Sequence, residues 1–389
     1  MTVEFEAAAQ NLSSNNPQKT LTGFYRPELD GMRFLAFLAV FVGHAFSSEA
    51  DFYVSHGCPP LLGRIIVAVI TSGRSGVPLF FLLSSYLITE LLIREEKARG
   101  RIDVRSFYFR RALRIWPLYF VYILCNYLFV PASSQYALSW KYLLALLCFA
   151  GNLPIVLNQM HLKTGVSGHL WSVSVEEQFY LIWPWVLRAF GAARLLPLTL
   201  TLIVGATILR VVMTIAGLGF NSFWYNTLTW IDAIGAGALL THLLKGRVFN
   251  LPPLLRLCML ATGPAFWTLA TFLLAHAPTW SPPVFYLLIT GGSVLMLVGT
   301  LGGPFLRGRV VVYLGRISYG LYVYHFLGLV LAGLLLEEHS PAYIIAGLLF
   351  TIALASISYR YLELPFLRLK RRFTYVPSAT EAALDEGKS

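Results

Sequence analysis

The sequence predicts an all-α, polytopic membrane protein, and three observations carry that prediction. The 389-residue chain is 57% hydrophobic with only 13% charged residues, and its mean hydropathy is +0.65. Its apolar residues gather into eleven runs, most of them near the twenty residues a helix needs to cross a bilayer. No segment shows the alternation of a membrane barrel strand. The net charge of +11 sits in short segments between the runs. That is the positive-inside pattern and not a nucleic-acid footprint.

Residues 1–25 are polar, rich in Ser and Asn, and lack the basic start and apolar centre of a cleavable signal. They read as a disordered cytoplasmic tail, with 373–389 as a second one and 26–372 as the membrane domain. The runs lie at about 32–48, 65–93, 108–130, 139–157, 170–190, 195–217, 224–244, 254–276, 283–302, 313–336 and 341–366. The segment from Arg94 to Arg114 holds eight Lys or Arg residues, which places it in the cytoplasm. The N-terminus, two crossings earlier, is then cytoplasmic too. Arg188 with Arg194, Lys245 with Arg247 and Arg256, Arg307 with Arg309 and Arg316, and Arg368 to Arg372 should also face inward. All of them can do so only if one run before residue 170 fails to cross. The run at 139–157 ends in Gly151-Asn152-Leu153-Pro154, which breaks a helix. The expectation is therefore about ten crossings, one re-entrant or surface-lying segment at 139–157, and both termini cytoplasmic.

Four stretches carry candidate chemistry. In the first helix Arg33 and His44 are eleven residues apart, which puts both on one helix face about 16 Å apart along the axis. They read either as an interfacial anchor and a core histidine, or as groups facing a wet cavity. Arg111 and Arg114 share a helix face at a membrane edge, suited to phosphate recognition or to holding the loop inside and touching lipid headgroups. Between Gly168 and Tyr180 stand His169, Trp171, Glu176, Glu177, Gln178 and Tyr180. Ser174 with Glu177 fits a capping box, and the aromatic and polar mixture fits a sugar-binding lip. His325 lies in the next such stretch, near the midplane of an outgoing helix, as a second base or a polar-core partner. Asp232 and Arg210 read as a buried ion pair, and Glu363 as a neutralising partner for the basic cluster near it. Three of four cysteines fall within apolar runs, and no disulfide framework or metal-ligand spacing exists. No Walker loop, dinucleotide fingerprint or Gly-x-Ser-x-Gly elbow is present.

Together these segments resemble the membrane acyltransferase family 3, the bacterial O-acyltransferases of surface and secreted glycans. The likeness rests on Leu29-Asp30-Gly31-Met32-Arg33 with His44, on Gly76-Val77-Pro78-Leu79-Phe80-Phe81-Leu82-Leu83-Ser84, and on Arg110-Arg111-Ala112-Leu113-Arg114-Ile115-Trp116-Pro117. It rests equally on His169 to Tyr180, Ile317 to Tyr322 and Glu363-Leu364-Pro365-Phe366, and it covers about 26–370 in the family's order. One departure is Ser85, where the family usually has Gly; a side chain there is expected to alter close helix packing. Many relatives carry an SGNH-type domain after the membrane unit. With seventeen residues beyond Arg372, this chain resembles a standalone form that delivers the acyl group itself or hands it to separate glycan-assembly proteins.

The resemblance implies a multi-pass protein of the bacterial inner membrane that takes an acyl group, typically acetyl, from cytosolic acyl-CoA. No metal is implied, and the partners are membrane lipid and a glycan or glycolipid acceptor. Arg33, Arg111 and Arg114 would hold the donor. His44 would be the general base, with Glu176 or Glu177 orienting it or holding sugar and His325 as a second catalytic candidate. His169, Trp171, Gln178 and Tyr180 would bind acceptor. Direct transfer and a transient acyl-His44 both remain open. The competing expectations are the same chemistry on a small secreted metabolite such as a macrolide, or a non-catalytic glycan or lipid exporter.

Overall fold

The computed structural model describes residues 25–157, 163–277, 280–370 and 373. Apart from Tyr25 and Phe373, the tails expected at 1–25 and 373–389 lie outside the described residues, as do Arg371 and Arg372. Among the described residues the protein is a bundle of helices without strands, with one isolated bridge between Leu138 and Thr164.

Helix α1 (Pro27–Ala45) opens on a proline, whose missing N–H is no loss in a first turn, and carries Glu28 and Asp30 there. Helix α2 (Pro60–Ser72) runs through the tight turn Gly73–Ser75 into α3 (Gly76–Arg99), a 40-residue rod ended by left-handed Gly100. Asp103 caps α4 (Val104–Phe129), its carboxylate accepting the Ser106 N–H at 3.0 Å. The short α5 (Trp140–Leu147) and α6 (Leu153–Val156) follow, then α7 (Trp171–Phe190), α8 (Leu195–Ile215), α9 (Ile231–Leu244), α10 (Pro253–His276) and α11 (Pro282–Thr300). Helices α12 (Arg309–Arg316) and α13 (Ser318–Gly333) are separated by a break at Ile317. Last come α14 (Pro341–Ser358), a π-helical turn at Tyr359–Glu363, and α15 (Leu364–Lys370).

Among the described residues, seven helices are long and apolar enough to cross a membrane: Pro60–Arg99, Val104–Phe129, Ala192–Ile215, Thr227–Leu244, Pro253–His276, Pro282–Thr300 and Pro341–Lys370. The ten expected crossings thus divide into seven that meet this standard and three others, α1, α7 and α12–α13. These three carry Asp30, Arg33 and His44, Glu176 and Glu177, and His325. Their ionisable groups, or in α13 the short unbroken length of 16 residues, set them apart. The segment 139–157 forms no spanning helix: α5 has 8 residues and α6 has 4, with left-handed Phe149 between them. It is tied down by Tyr119, which donates to the Leu146 carbonyl at 2.9 Å, and by the Gly151 N–H, which donates to Ser174 at 3.1 Å.

Helix α3 is the packing centre, with Leu79, Leu82, Leu83 and Tyr86 fully buried between α1 and α9. A Cβ at Gly76 would overlap the Ala36 carbonyl oxygen, so only glycine lets α1 lie this close. Ser85 is accommodated by its neighbour. It donates to the Ile234 carbonyl at 2.6 Å, and across the same contact Gly237 has no room for a Cβ beside the Leu82 oxygen. Arg210 and Asp232 form the expected buried ion pair. Arg210 also donates to the Thr229 carbonyl and lies over the Tyr286 ring, and Thr290 donates to Asp232 at 2.9 Å.

The capping box expected at Ser174 and Glu177 does not form. A 3-10 turn at Gly165–Leu170 leads directly into α7 at Trp171, so Ser174 is already inside the helix. Its hydroxyl instead donates to the Leu170 carbonyl at 3.4 Å.

Candidate active site

Helices α1, α3, α4, α7 and α12–α13 line a cavity of about 170 Å³. Seven Arg or Lys residues line it (Arg26, Arg33, Arg110, Arg111, Arg114, Arg316 and Lys370) against three carboxylates (Asp30, Glu95 and Glu176). That imbalance selects an anionic ligand. The carboxylates are already engaged. Glu95 takes Arg110 at 2.7 Å and the Asp103 N–H at 2.9 Å, which clamps the turn from α3 into α4. Asp30 takes Arg33 at 3.1 Å through Oδ1, while its Oδ2 is buried without a hydrogen-bond partner among the described residues. Glu176 receives the hydroxyls of Ser84 and Tyr180.

Arg111 is presented differently from Arg110. Its guanidinium stands 5.7 Å from the Phe107 ring centre and 5.5 Å from that of Tyr180, and its buried Nε has no hydrogen-bond partner among the described residues. Two aromatic faces hold the side chain without consuming its donors. Arg114, one turn on, interacts electrostatically with Asp30 and Glu363. Arg316 donates to the Tyr25 hydroxyl at 3.0 Å, and its Nε is likewise buried without a partner.

Phe80, Ser172 and Tyr322 also line this cavity. The Tyr322 hydroxyl lies 2.6 Å from that of Ser172 and 3.0 Å from the His169 carbonyl. Behind it stands a histidine pair. His325 Nδ1 is 2.5 Å from the Tyr322 carbonyl, and His325 Nε2 is 3.2 Å from His44 Nδ1. A carbonyl only accepts, so His325 Nδ1 carries its proton and His325 Nε2 is the acceptor. His44 Nδ1 then donates, and His44 Nε2 keeps its lone pair. His169 completes the cluster, its ring centre 4.7 Å from that of His325 and its Nε2 3.2 Å from the Val323 carbonyl.

His44 lines a second, more open cleft with Phe46, Ser47, Glu49, Phe52, Arg74 and His339. Arg33 and His44 therefore serve different cavities from the two halves of one helix.

The structure sorts the candidate residues into groups. Arg33, Arg111, Arg114, Glu176 and Tyr180 meet in the basic cavity, and His44, His325 and His169 meet beyond Tyr322. Neither glutamate orients an imidazole. Glu176 faces Ser84, and Glu177, about 100° round the helix, accepts from Trp116 Nε1 at 3.2 Å beside the bundle's exposed face. The expected lip does not form. Trp171 is buried, its ring 4.9 Å from that of Tyr225. Gln178 is occupied by the Phe149 carbonyl at 2.8 Å, Asn152 at 3.0 Å and Thr227 at 2.5 Å, and anchors the broken segment. Sequence reasoning missed Tyr322 as the separator, and Glu49, Phe52, Arg74 and His339 as cleft residues. Tyr322 stood in the Ile317–Tyr322 motif without a role, and the cleft residues are scattered over short segments, Phe52 on the six-residue helix Ala50–Ser55 and Arg74 in the Gly73–Ser75 turn, too brief for periodicity to mark them.

Comparison with known proteins bears on what such a pair of cavities does. A family model described as an acyltransferase domain matches residues 26–360. The provisionally named peptidoglycan O-acetyltransferase YrhL of Bacillus subtilis is 25% identical over 380 residues, covering 89% of this chain and 56% of that protein. The O-acetyltransferase OatA of Staphylococcus aureus is 25% identical over 394 residues, covering 92% of this chain and 60% of that protein. The chain thus spans under two thirds of the length of these relatives. No solved structure matches it.

Proposed function

This chain belongs to the acyltransferase-domain family, and from that premise we propose that it is a membrane O-acyltransferase. The donor is acyl-CoA, acetyl-CoA in the simplest case, and the acceptor is a hydroxyl of a carbohydrate. One observation carries the reading: helix α1 places Arg33 in a cation-lined cavity and His44, with a free lone pair, in a separate cleft. The basic cavity suits the phosphates of CoA because Arg111 Nε and Arg316 Nε are buried donors still without partners among the described residues. Sulfur-linked acyl chemistry also needs reach. The Arg33–His44 rise of about 16 Å is comparable to the length of CoA's flexible arm.

The residues divide the work. Arg33, Arg111 and Arg114 hold the donor phosphates. Ser84, Ser172 and Tyr322 form the far wall, toward which the thioester is directed. Displacement of the Tyr322 ring joins the two cavities at the histidine pair. His44 Nε2 takes the proton from the acceptor hydroxyl, and the oxygen attacks the thioester carbonyl carbon. The carbon–sulfur bond breaks, and the departing thiolate takes the proton from His44. The products are an ester and free CoA. His325 steadies the transient imidazolium by accepting the His44 Nδ1–H.

The charge pattern supports a cytoplasmic basic cavity and a cleft on the outer side of a bacterial inner membrane. The peptidoglycan in the name of the Bacillus relative supports a cell-envelope glycan as acceptor. The test is acetyl-CoA consumption by purified protein in proteoliposomes, with labelled acetate followed into added glycan. Consumption that depends on His44 is expected, and a wild-type protein that binds glycan yet consumes no acyl-CoA overturns the reading in favour of an exporter. Reporters fused after Gly100 and near Lys163 should give cytoplasmic and external signals, respectively.

A further inference from the structure

We infer that the open cleft beside His44 is the acceptor subsite and that it holds one pyranose unit of a saccharide. This rests on the acyl-transfer reading above, and it assigns residues outside the family's motif segments. The argument is the balance of donors and acceptors. The Nδ1 of His339 is 3.0 Å from the Ala45 carbonyl, which accepts only, so His339 Nδ1 bears the proton and Nε2 is left as an acceptor. His44 Nε2 is an acceptor by the same logic, through the His325 pair. Glu49 adds a carboxylate. Three acceptor groups therefore line one cleft, and Arg74, whose Nε donates to the Gly43 carbonyl at 3.3 Å, keeps its terminal nitrogens as donors.

A phosphate or carboxylate ligand would need the reverse balance, and a hydrocarbon would leave these groups unpaired. A molecule rich in hydroxyl donors matches. Phe52 supplies the apolar face that a pyranose ring also needs. Its ring is half-buried, with its centre 5.7 Å from the His339 ring at 73° and 4.5 Å from the His56 ring. Phe52 sits on a short helix, Ala50–Ser55, and the segment leading into it is held in shape from within. Tyr53 donates to the Ser47 carbonyl at 3.0 Å, and the Glu49 N–H donates to the Ser47 hydroxyl at 3.3 Å. His339 stands in a left-handed backbone conformation, φ 64°, which turns it toward Ala45.

The test uses the full chain in its own membrane. A deletion strain is complemented with wild type, Phe52→Ala, Phe52→Trp or Glu49→Gln, and base-labile acetate is measured in high-mass envelope glycan and in the medium. The CoA affinity of each purified variant reports the fold. Phe52→Ala and Glu49→Gln should lower glycan acetate at least about fivefold, the effect of losing roughly 1 kcal/mol of acceptor contact. Phe52→Trp should restore it, and CoA affinity should stay within about twofold of wild type. Wild-type acetate levels in both loss variants overturn the inference, as does a parallel loss of CoA affinity. Acetate carried only by small secreted molecules overturns the saccharide assignment. If the wild type itself adds no acetate above the deletion strain, the acyl-transfer reading fails, and the subsite fails with it.

Discussion

The two cavities offer a ligand opposite chemistry. The basic one presents guanidinium donors, with its three carboxylates already bonded to Arg110, Arg33 and the hydroxyls of Ser84 and Tyr180. The open one presents lone pairs on His44, His339 and Glu49 beside an aromatic face. An anion with a long arm fits the first, and a polyhydroxyl ring fits the second. On the acyl-transfer reading proposed above, the difference teaches how one bundle would keep its two substrates apart. Helix α1 contributes Arg33 to one cavity and His44 to the other, and Tyr322 stands between them with its hydroxyl toward the donor side and its carbonyl on His325. Donor affinity and acceptor chemistry should therefore be separable by mutation.

The sharpest separation is at His44. General base catalysis contributes about 10²–10⁴-fold, so His44→Ala and His44→Gln should lose turnover in that range. Their CoA affinity should match wild type, because His44 is outside the basic cavity. His325→Gln keeps a polar group against His44 and should lose less. Near-normal turnover in His44→Gln alongside an inactive His325→Ala would reverse the two roles.

The second effect falls on the donor side alone. Arg111→Ala or Arg114→Ala removes charge-assisted contacts of about 1.5–3 kcal/mol, which is about 10- to 100-fold in CoA affinity. Lysine should not rescue Arg111, because an ammonium cannot pack its plane between the Phe107 and Tyr180 rings. Equal CoA binding in correctly inserted Ala variants would reduce these arginines to topology determinants.

A smaller effect tests the separator. Tyr322→Phe removes the bonds to Ser172 and the His169 carbonyl but leaves the carbonyl that holds His325. Loss of about 1 kcal/mol of positioning should cost roughly fivefold in transfer. Tyr322→Ala opens the wall and should raise acyl-CoA hydrolysis relative to transfer, read as free acetate per ester formed. A ratio unchanged from wild type would mean that the cavities join elsewhere.

Much of this was legible in the sequence because it is local. Hydrophobic runs gave the long helices, Gly151 and Pro154 marked the segment that forms no spanning helix, and spacing put Arg111 and Arg114 on one face. What was not legible is long-range or angular. His44 and His325 are 281 residues apart and meet only through helix packing. Glu176 and Glu177 are neighbours in sequence, yet one faces the basic cavity and the other Trp116, and no periodicity chooses between them beforehand. Gln178 and Trp171 looked like ligand contacts because of their residue types. Each is consumed by the fold, Gln178 by the broken segment and Trp171 by Tyr225.

The smallest predicted effect separates two adjacent serines. Ser84 donates to Glu176 inside the basic cavity, whereas Ser85, one residue on, is wholly buried and donates to the Ile234 carbonyl of α9. Ser84→Ala leaves the Glu176 carboxylate short of a donor and should weaken donor binding several-fold, on the order of 1 kcal/mol. Ser85→Gly removes a hydrogen bond worth about 1 kcal/mol and leaves a small void opposite Gly237, which costs a further fraction of a kcal/mol. It touches neither cavity, so its kcat and both KM values should equal wild type while thermal stability falls by a few degrees. The reciprocal change, Gly237→Ala, drives a methyl group into the Leu82 carbonyl and Ser85 Cβ. It should be far more destabilising, and Ser85→Gly in the same chain should relieve little of that, because the Leu82 oxygen is backbone and does not move with the side chain. Full relief by Ser85→Gly would mean that the α3–α9 contact is set by the serine and not by the carbonyl, and the donor cavity on the other face of α3 would then be less rigid than its hydrogen bonds imply.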